Sequence, residues 1–512
     1  MSVTQRASMA IFLLISTGYL AIGRARAQSE HPFPQESPAR RAAMKIGSPS
    51  QGPSLPLSAP GPFNSGAIAC SPAPCVLPPT QASEGGALVN TPPIAANPLN
   101  PKQLLVGSND FNCPGNESSG FHLSADGGST WTVTCMPAII TEDYVYDPAG
   151  EPLVGYNGNG DAYIVSTYID NEEGVYGFIA FEKSNDGVNW SKPKVALSFP
   201  ASFADEPGFA IDGNPNSPFL NNLYVSARMI GPPGVQSENQ VMVAHSADGG
   251  KTWGRSKVEP IQTYPAFEDF TSLTVGRDGA VYLAWQHCPG TGPDASCQNS
   301  KGFIVFSKSV DGGVTWSRPA LIAEATIAPA PCNCGAGVLP NTTDDVFVDN
   351  YPAIGVDNSD GPNAGNVYVS MYNWTGSYMR VQVVRSTDGG NTWSKPVPVA
   401  PAQYTHDQFF PWLSVSSTGL VGVSWLDRRN DPANIDYQAF AAISSDGGMS
   451  FGENVQLTTA FSNPNVNGYP NNEWMGDYTG NTWDGPNYFV AAWMDSSNGV
   501  DMQEVVGGIR LK

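Results

Sequence analysis

Six copies of one short box run through this chain, each reading Ser-x-Asp-Gly-Gly-x-Thr-Trp or a close variant. They occupy residues 124–131, 184–190 (one residue short), 246–253, 309–316, 386–393 and 444–451. Their aspartates stand at 126, 186, 248, 311, 388 and 446, so the steps are 60, 62, 63, 77 and 58 residues. Recurrence at that spacing constrains the fold before any local motif does, because a repeated unit buries its apolar face against copies of itself.

The box is turn chemistry. Its aspartate accepts bonds from backbone N–H groups further on, and its glycines take backbone angles that other residues resist. The closing Trp is a large apolar anchor at the start of the next extended run. An apolar run precedes each box, such as RVQVVR at 380–385, and Trp-Ser-x-Pro with another extended run follows at 316–323 and 393–400. The box is therefore expected as a hairpin turn. Two further strands precede each hairpin: 152–156 with 162–169, 207–212 with 223–229, 270–275 with 281–286, 352–357 with 367–372, and 410–415 with 420–426. Four short antiparallel strands per unit of about 60 residues describe a propeller blade.

The ends supply the remainder. Segments 93–97 and 103–107 open a first blade, while 476–483, 488–494 and 502–511 give three strands of a last one. The strand missing there is expected from residues before Pro93. The fold class is all-β, a single propeller of seven blades over 67–512, with six blades as the alternative.

Residues 1–27 read as a secretory signal: Arg6, an apolar stretch over 7–22, and Ala25-Arg26-Ala27 before Gln28. Residues 28–66 are Pro- and Ser-rich and read as a flexible arm. No other segment is long and apolar enough to span a bilayer. The chain has 25 Lys+Arg against 46 Asp+Glu. Without the leader's three arginines the balance is 22 against 46, or −24. Such a charge repels nucleic acid and anionic membrane. A secreted or periplasmic protein, expected as a monomer, is the consistent placement. Eight cysteines suit an oxidising compartment. Local bridges are expected for Cys70 with Cys75, Cys113 with Cys135, and Cys288 with Cys297, while Cys332 and Cys334 stand too close for an unstrained bridge.

Strand alternation puts the boxes on one rim of the blades and the start of each first strand on the other. The boxes are thus scaffold. On the opposite rim carboxylates recur at the start of first strands: Asp147 and Glu151, Asp205 and Glu206, Glu268 and Asp269, Asp349, Asp407, then Glu473 and Asp477. At the end of second strands stand Asp110, Asp170, Arg228, His287, Tyr372 with Trp374, Asp427 with Arg428 and Arg429, and Asp495. Each acid taken singly reads as a turn cap. Together they predict a polar, acid-lined mouth suited to a sugar.

The boxes at 124–131, 246–253, 309–316 and 386–393 resemble the Asp-box (bacterial neuraminidase) repeats of the sialidase superfamily, over about residues 88–512. The resemblance implies a propeller and glycoside hydrolysis at the axial pocket. Sialidases hold the substrate carboxylate with three arginines, the first in an Arg-Ile-Pro motif. This chain has no Arg-Ile-Pro, and its first blade offers Thr91-Pro92-Pro93. Trp425-Leu426-Asp427-Arg428-Arg429 and Gly476-Asp477-Tyr478 look like motifs of exported sialidase-like proteins.

The leading expectation is a glycoside hydrolase. Asp349, Asp407, Asp427 and Asp477 are the acid/base or positioning candidates, and Tyr478 is the candidate nucleophile. Arg228, Arg428, Glu268, Tyr372 and Trp374 are candidates to bind a glycan or glycoconjugate. The competing expectation is a non-catalytic propeller that binds carbohydrate or protein, with calcium at the acidic rim as the one cofactor considered. No residue is assigned to a metal from sequence.

Overall fold

The computed structural model describes residues 75–113, 118–170, 176–199, 202–231, 238–263, 266–289, 301–330, 336–469 and 472–511. The expected leader and arm lie outside these, as do Cys70, Cys297, Cys332 and Cys334. All described residues fall in one compact unit, Glu36–Lys512. Among them there are strands and turns but no helix.

One plan repeats. Each unit opens with a first strand: β1 (Ile94–Asn97), β2 (Leu153–Tyr156), β3 (Phe203–Ile211), β4 (Phe267–Val275), β5 (Ala353–Val356), β6 (Gln408–Val415) and β7 (Gly480–Asp484). In the clearest cases three more strands follow in antiparallel order. β4 pairs with Val281–Cys288, which pairs with Phe303–Ser309, which pairs with Ala320–Glu324. β6 leads in the same way through Val421–Asp427 and Gln438–Ser444 to Val455–Gln456. Second strands such as Val421–Asp427 are buried along their whole length. A strand covered on both faces reads as a continuous apolar run, which is how VGVSWL appears in the sequence.

First strands pack side by side in order, β1 on β2 and so on to β6 on β7, and β7 packs against β1. The last sheet takes its fourth strand from the other end of the chain. Cys75–Gln81 pairs with Gln503–Arg510, with Val76 opposite Ile509 and Thr80 opposite Val506. The long 77-residue step between boxes accommodates a separate two-stranded ribbon, Gly337–Val338 with Phe347–Val348.

Each box is the turn between a third and a fourth strand, and its bonds repeat from unit to unit. Ser386 Oγ donates to Asp388 Oδ1 (2.7 Å) and accepts the Gly390 N–H (2.7 Å). Asp388 in turn accepts the Asn391 and Thr392 N–H groups (3.0 and 2.9 Å) and the Thr392 hydroxyl (2.6 Å). These donors, led by the Thr392 hydroxyl, hold the Asp388 carboxyl down at about 2. Ser124 with Asp126 and Ser444 with Asp446 make the same bonds. The box tryptophan reaches the third strand of the preceding unit. Trp393 meets Phe306 edge-on at 5.0 Å, Trp253 meets Phe181 at 5.5 Å, and Trp190 meets Phe121 at 4.5 Å. The boxes are joints between units.

Cys113 and Cys135 form a disulfide across the first unit. Cys75 and Cys288 are each disulfide-bonded as well, though not to one another.

Candidate functional site

Register separates the two ends of every unit. In the fifth unit Val356, Val367 and Ser386 stand in one row, at the box end, while Trp374 and Met379 mark the other. The expected carboxylates lie at that other end. Asp205 sits opposite Arg228, Glu268 opposite His287, and Gln408 opposite Asp427.

Their burial departs from expectation. A polar, acid-lined mouth was expected, and Asp407, Asp427, Asp349, Asp477, Tyr478, Arg228, Arg428, Glu268 and Tyr372 are all buried. Most are committed to partners. Asp407 accepts the Met379 N–H (2.9 Å), the Asn434 amide (2.7 Å) and Arg428 Nη1 (3.3 Å), and the same Nη1 donates to the Pro340 carbonyl (2.7 Å). Asp427 accepts Trp425 Nε1 (2.7 Å), the Arg429 N–H (2.8 Å) and Arg429 Nη2 (2.5 Å). Asp407, Asp427 and Arg428 are thus each bound to neighbours within the fold. Tyr478, the candidate nucleophile, donates its hydroxyl to the Pro152 carbonyl at 2.6 Å, and burial raises its pKa well above 10.0. That hydroxyl is a poor nucleophile. Tyr372 donates to the Val348 carbonyl (3.3 Å) within the core. Trp374 is half-buried and packs on the main apolar cluster.

Arg228 is the hub. It donates to Asp205 on β3 and, at 2.9 Å, to Asp269 on β4. Burial works to lower its pKa, but Asp269, Asp205 and Glu206 outweigh that and hold it raised. Burial draws Asp269 up to about 7 against the pull of Arg228. Asp477 is drawn up to about 6 by burial, against hydrogen bonds from Trp474, Asp349 and Thr91. Glu268 accepts both Trp285 Nε1 and His287 Nδ1 at 2.5 Å. Glu206 lies among Glu151, Asp205, Asp269 and Asp477, and burial first, then those charges, raise its pKa well above the usual range.

Glu151 (φ 56°) and Glu206 (φ 52°) each precede a proline with left-handed backbone. An L-residue pays about 1–2 kcal/mol for that region, so tertiary contacts hold both there. Beneath them lies an aromatic layer. Tyr351 sits 4.8 Å from Tyr478 and 5.2 Å from Phe270, and Trp412 is 5.4 Å from Tyr478. The Tyr351 hydroxyl donates to the Pro207 carbonyl (2.8 Å), as Tyr478 does to that of Pro152. On the far side of this layer, towards the boxes, is a cavity of 310 Å³ to which all seven first strands contribute. Trp412, Asn358 and Asn481 line it, and no carboxylate does.

Several buried ionisable groups escaped the sequence reading. His122 and Glu504 face each other at 3.1 Å, both fully buried. Burial pushes His122 down to about 3 and Glu504 well up. Glu182 is pushed up to about 8 and Glu259 to about 9, chiefly by burial. The available signal was an acid inside an apolar strand, as in MQEVVGG at 502–508.

No protein-family model matches the chain. A sialidase of Bacteroides fragilis (strain YCH46) is 28% identical over 182 residues, which is 31% of this chain and 29% of that protein. The match thus spans under a third of the relative's length. Among solved structures, a GH93 α-L-arabinofuranosidase of Fusarium graminearum aligns at a TM-score of 0.47 with 11% identity, covering 85% of this chain and 98% of that one. The Hadza microbial sialidase Hz136 aligns at 0.41 with 14% identity, covering 77% and 73%. This chain is similar to the sialidase superfamily, in sequence over that 182-residue stretch.

Proposed function

We propose that the protein is an exported, sialidase-like propeller of seven blades that hydrolyses a glycoside at its carboxylate-rich end. The cyclic packing of β1 to β7 supports the blade count. The leader-like residues 1–27 and the Cys113–Cys135 disulfide support export. The hydrolase reading is carried by one observation: the carboxyls at this end fall into two kinds. Asp407 and Asp427 are ion-paired with Arg428 and Arg429, whereas burial draws Asp269 up to about 7, even beside Arg228, and Asp477 up to about 6. Glycoside hydrolysis uses such a division, one carboxyl giving a proton to the leaving oxygen while another acts ionised. Asp269 retains 6% exposure and is the acid assigned here, with Arg228 positioning it.

The test is Asp269→Asn assayed on a panel of glycosides, with circular dichroism to confirm folding. Losing a general acid lowers turnover by roughly 10²–10⁴-fold. An unchanged rate in Asp269→Asn, or no cleavage of any glycoside by the wild type, removes the hydrolase reading.

A second reading is favoured by the cavity on the box side. Amides and an aromatic face without carboxylates suit a bound sugar that is not cleaved. Calorimetry with oligosaccharides separates the two, because Asp269→Asn leaves binding at that cavity intact.

A further inference from the structure

We propose that Glu151, Asp205 and Glu206 form an internal site for a hard divalent cation, calcium being the ion they suit. One carboxylate oxygen from each lies within 4.8 Å of the others, and all three residues are buried. Oxygens that share one calcium at roughly 2.3–2.6 Å have that spacing. The donor set is all carboxylate, which selects a hard ion over zinc or copper.

Buried acids alone do not make a site. Here two of the side chains also lack what burial demands. Glu206 is 1% exposed, and its Oε2 has no hydrogen-bond partner. Asp205 is 0% exposed, and its Oδ1 has none either. Buried polar oxygens in proteins are hydrogen-bonded or bind metals, because leaving one without a partner is costly. Meanwhile the rest of the cluster is held in place. Asp205 Oδ2 is gripped by Arg228. Glu151 Oε2 accepts the Thr167 hydroxyl and the Glu206 N–H, each at 3.0 Å. The arrangement fixes the ligands and leaves oxygens directed at one another.

Charge points the same way. Asp269 and Asp477 add their fields to that of the three acids, and Arg228 is already divided between Asp205 and Asp269. A doubly charged ion offsets part of the remainder. It would also join units, since Glu151 leads into β2 while Asp205 and Glu206 belong to β3. Arg228 and Asp269 extend the connection to β4. The ion is a structural pin, and the inference stands apart from the hydrolase reading because no substrate is needed to test it.

The experiment uses the full chain purified without chelator. Mass spectrometry of the metal content is expected to find about one calcium per chain. Dialysis against EDTA is expected to lower the melting temperature, and calcium chloride to restore it. Glu206→Gln, which keeps the shape and removes a carboxylate ligand, is expected to lose both the metal and the calcium-dependent rise. Terbium provides a second measurement independent of stability. Its emission, excited through Tyr351 and Tyr478 beside the cluster, should appear in the wild type, fall on adding calcium, and be absent in Glu206→Gln. A metal-free wild type that neither melts higher with calcium nor sensitises terbium overturns the proposal. An equal calcium response in Glu206→Gln overturns it as well.

Discussion

Arg228 sits 3% exposed between two acids of neighbouring strands, and its removal would leave both without their cation. Breaking a buried pair from one side typically costs about 3–5 kcal/mol. Arg228→Met is therefore expected to lose stability on that scale in urea titration, whereas Arg255→Met, at an exposed site, should change little. Glu182 supplies a pH-dependent case. In the folded chain burial holds its proton up to about 8, against 4.5 for a free carboxyl. The stability this group contributes is complete below about 4.5 and is lost as pH rises through about 8. The gain from Glu182→Gln should thus grow between those limits and level off above them, reaching a few kcal/mol at about 1.4 kcal/mol per pH unit. A gain independent of pH would contradict the assignment. At this scale the sequence showed which residue types gather at one end. It did not show their burial. Asp407 meets Arg428 from 21 positions away and Asp477 meets Thr91 from 386 away, and no local pattern records such distances.

The box hairpins test the packing of elements. Both glycines of the third box have left-handed backbone, Gly249 at φ 71° and Gly250 at φ 83°. A Cβ on Gly249 would meet nothing within 4 Å, while one on Gly250 would fall inside the Phe181 ring of the preceding unit. Gly249→Ala should therefore cost about 1–2 kcal/mol from backbone alone. Gly250→Ala should cost clearly more, and equal losses in thermal melts would show that the joint with Phe181 carries no strain. Strands were the most legible feature. Those expected at 281–286 and 367–372 appear as Val281–Cys288 and Val367–Trp374, longer by two residues at the end away from the boxes. The extension arises because neighbouring strands keep pairing where the sequence turns polar, as at Glu268 opposite His287. The ribbon Gly337–Val338 with Phe347–Val348 left no alternating pattern to find, being two residues a side.

Across the whole molecule, the sheet that unites Cys75–Gln81 with Gln503–Arg510 carries the most weight. A chain beginning at residue 82 is expected to melt several degrees lower than one beginning at 75. It should also scatter light on standing, because Gln503–Arg510 would become an uncovered edge. An unchanged melting curve would mean that this strand is dispensable. The sequence indicated that a strand was missing from the last unit, since three segments followed the sixth box with no seventh box. It could not say which residues before Pro93 would fill the gap. The short run CVLPPTQ, with two prolines, has little strand character of its own and takes its register from the partner. The same pairing sets a timetable for synthesis. A ribosome delivers Cys75–Gln81 hundreds of residues before Gln503–Arg510, so the early segment must wait unpartnered until that distant strand has been made. The other sheets among the described residues each draw on one continuous stretch of chain, so this one is the latch that waits for a distant partner.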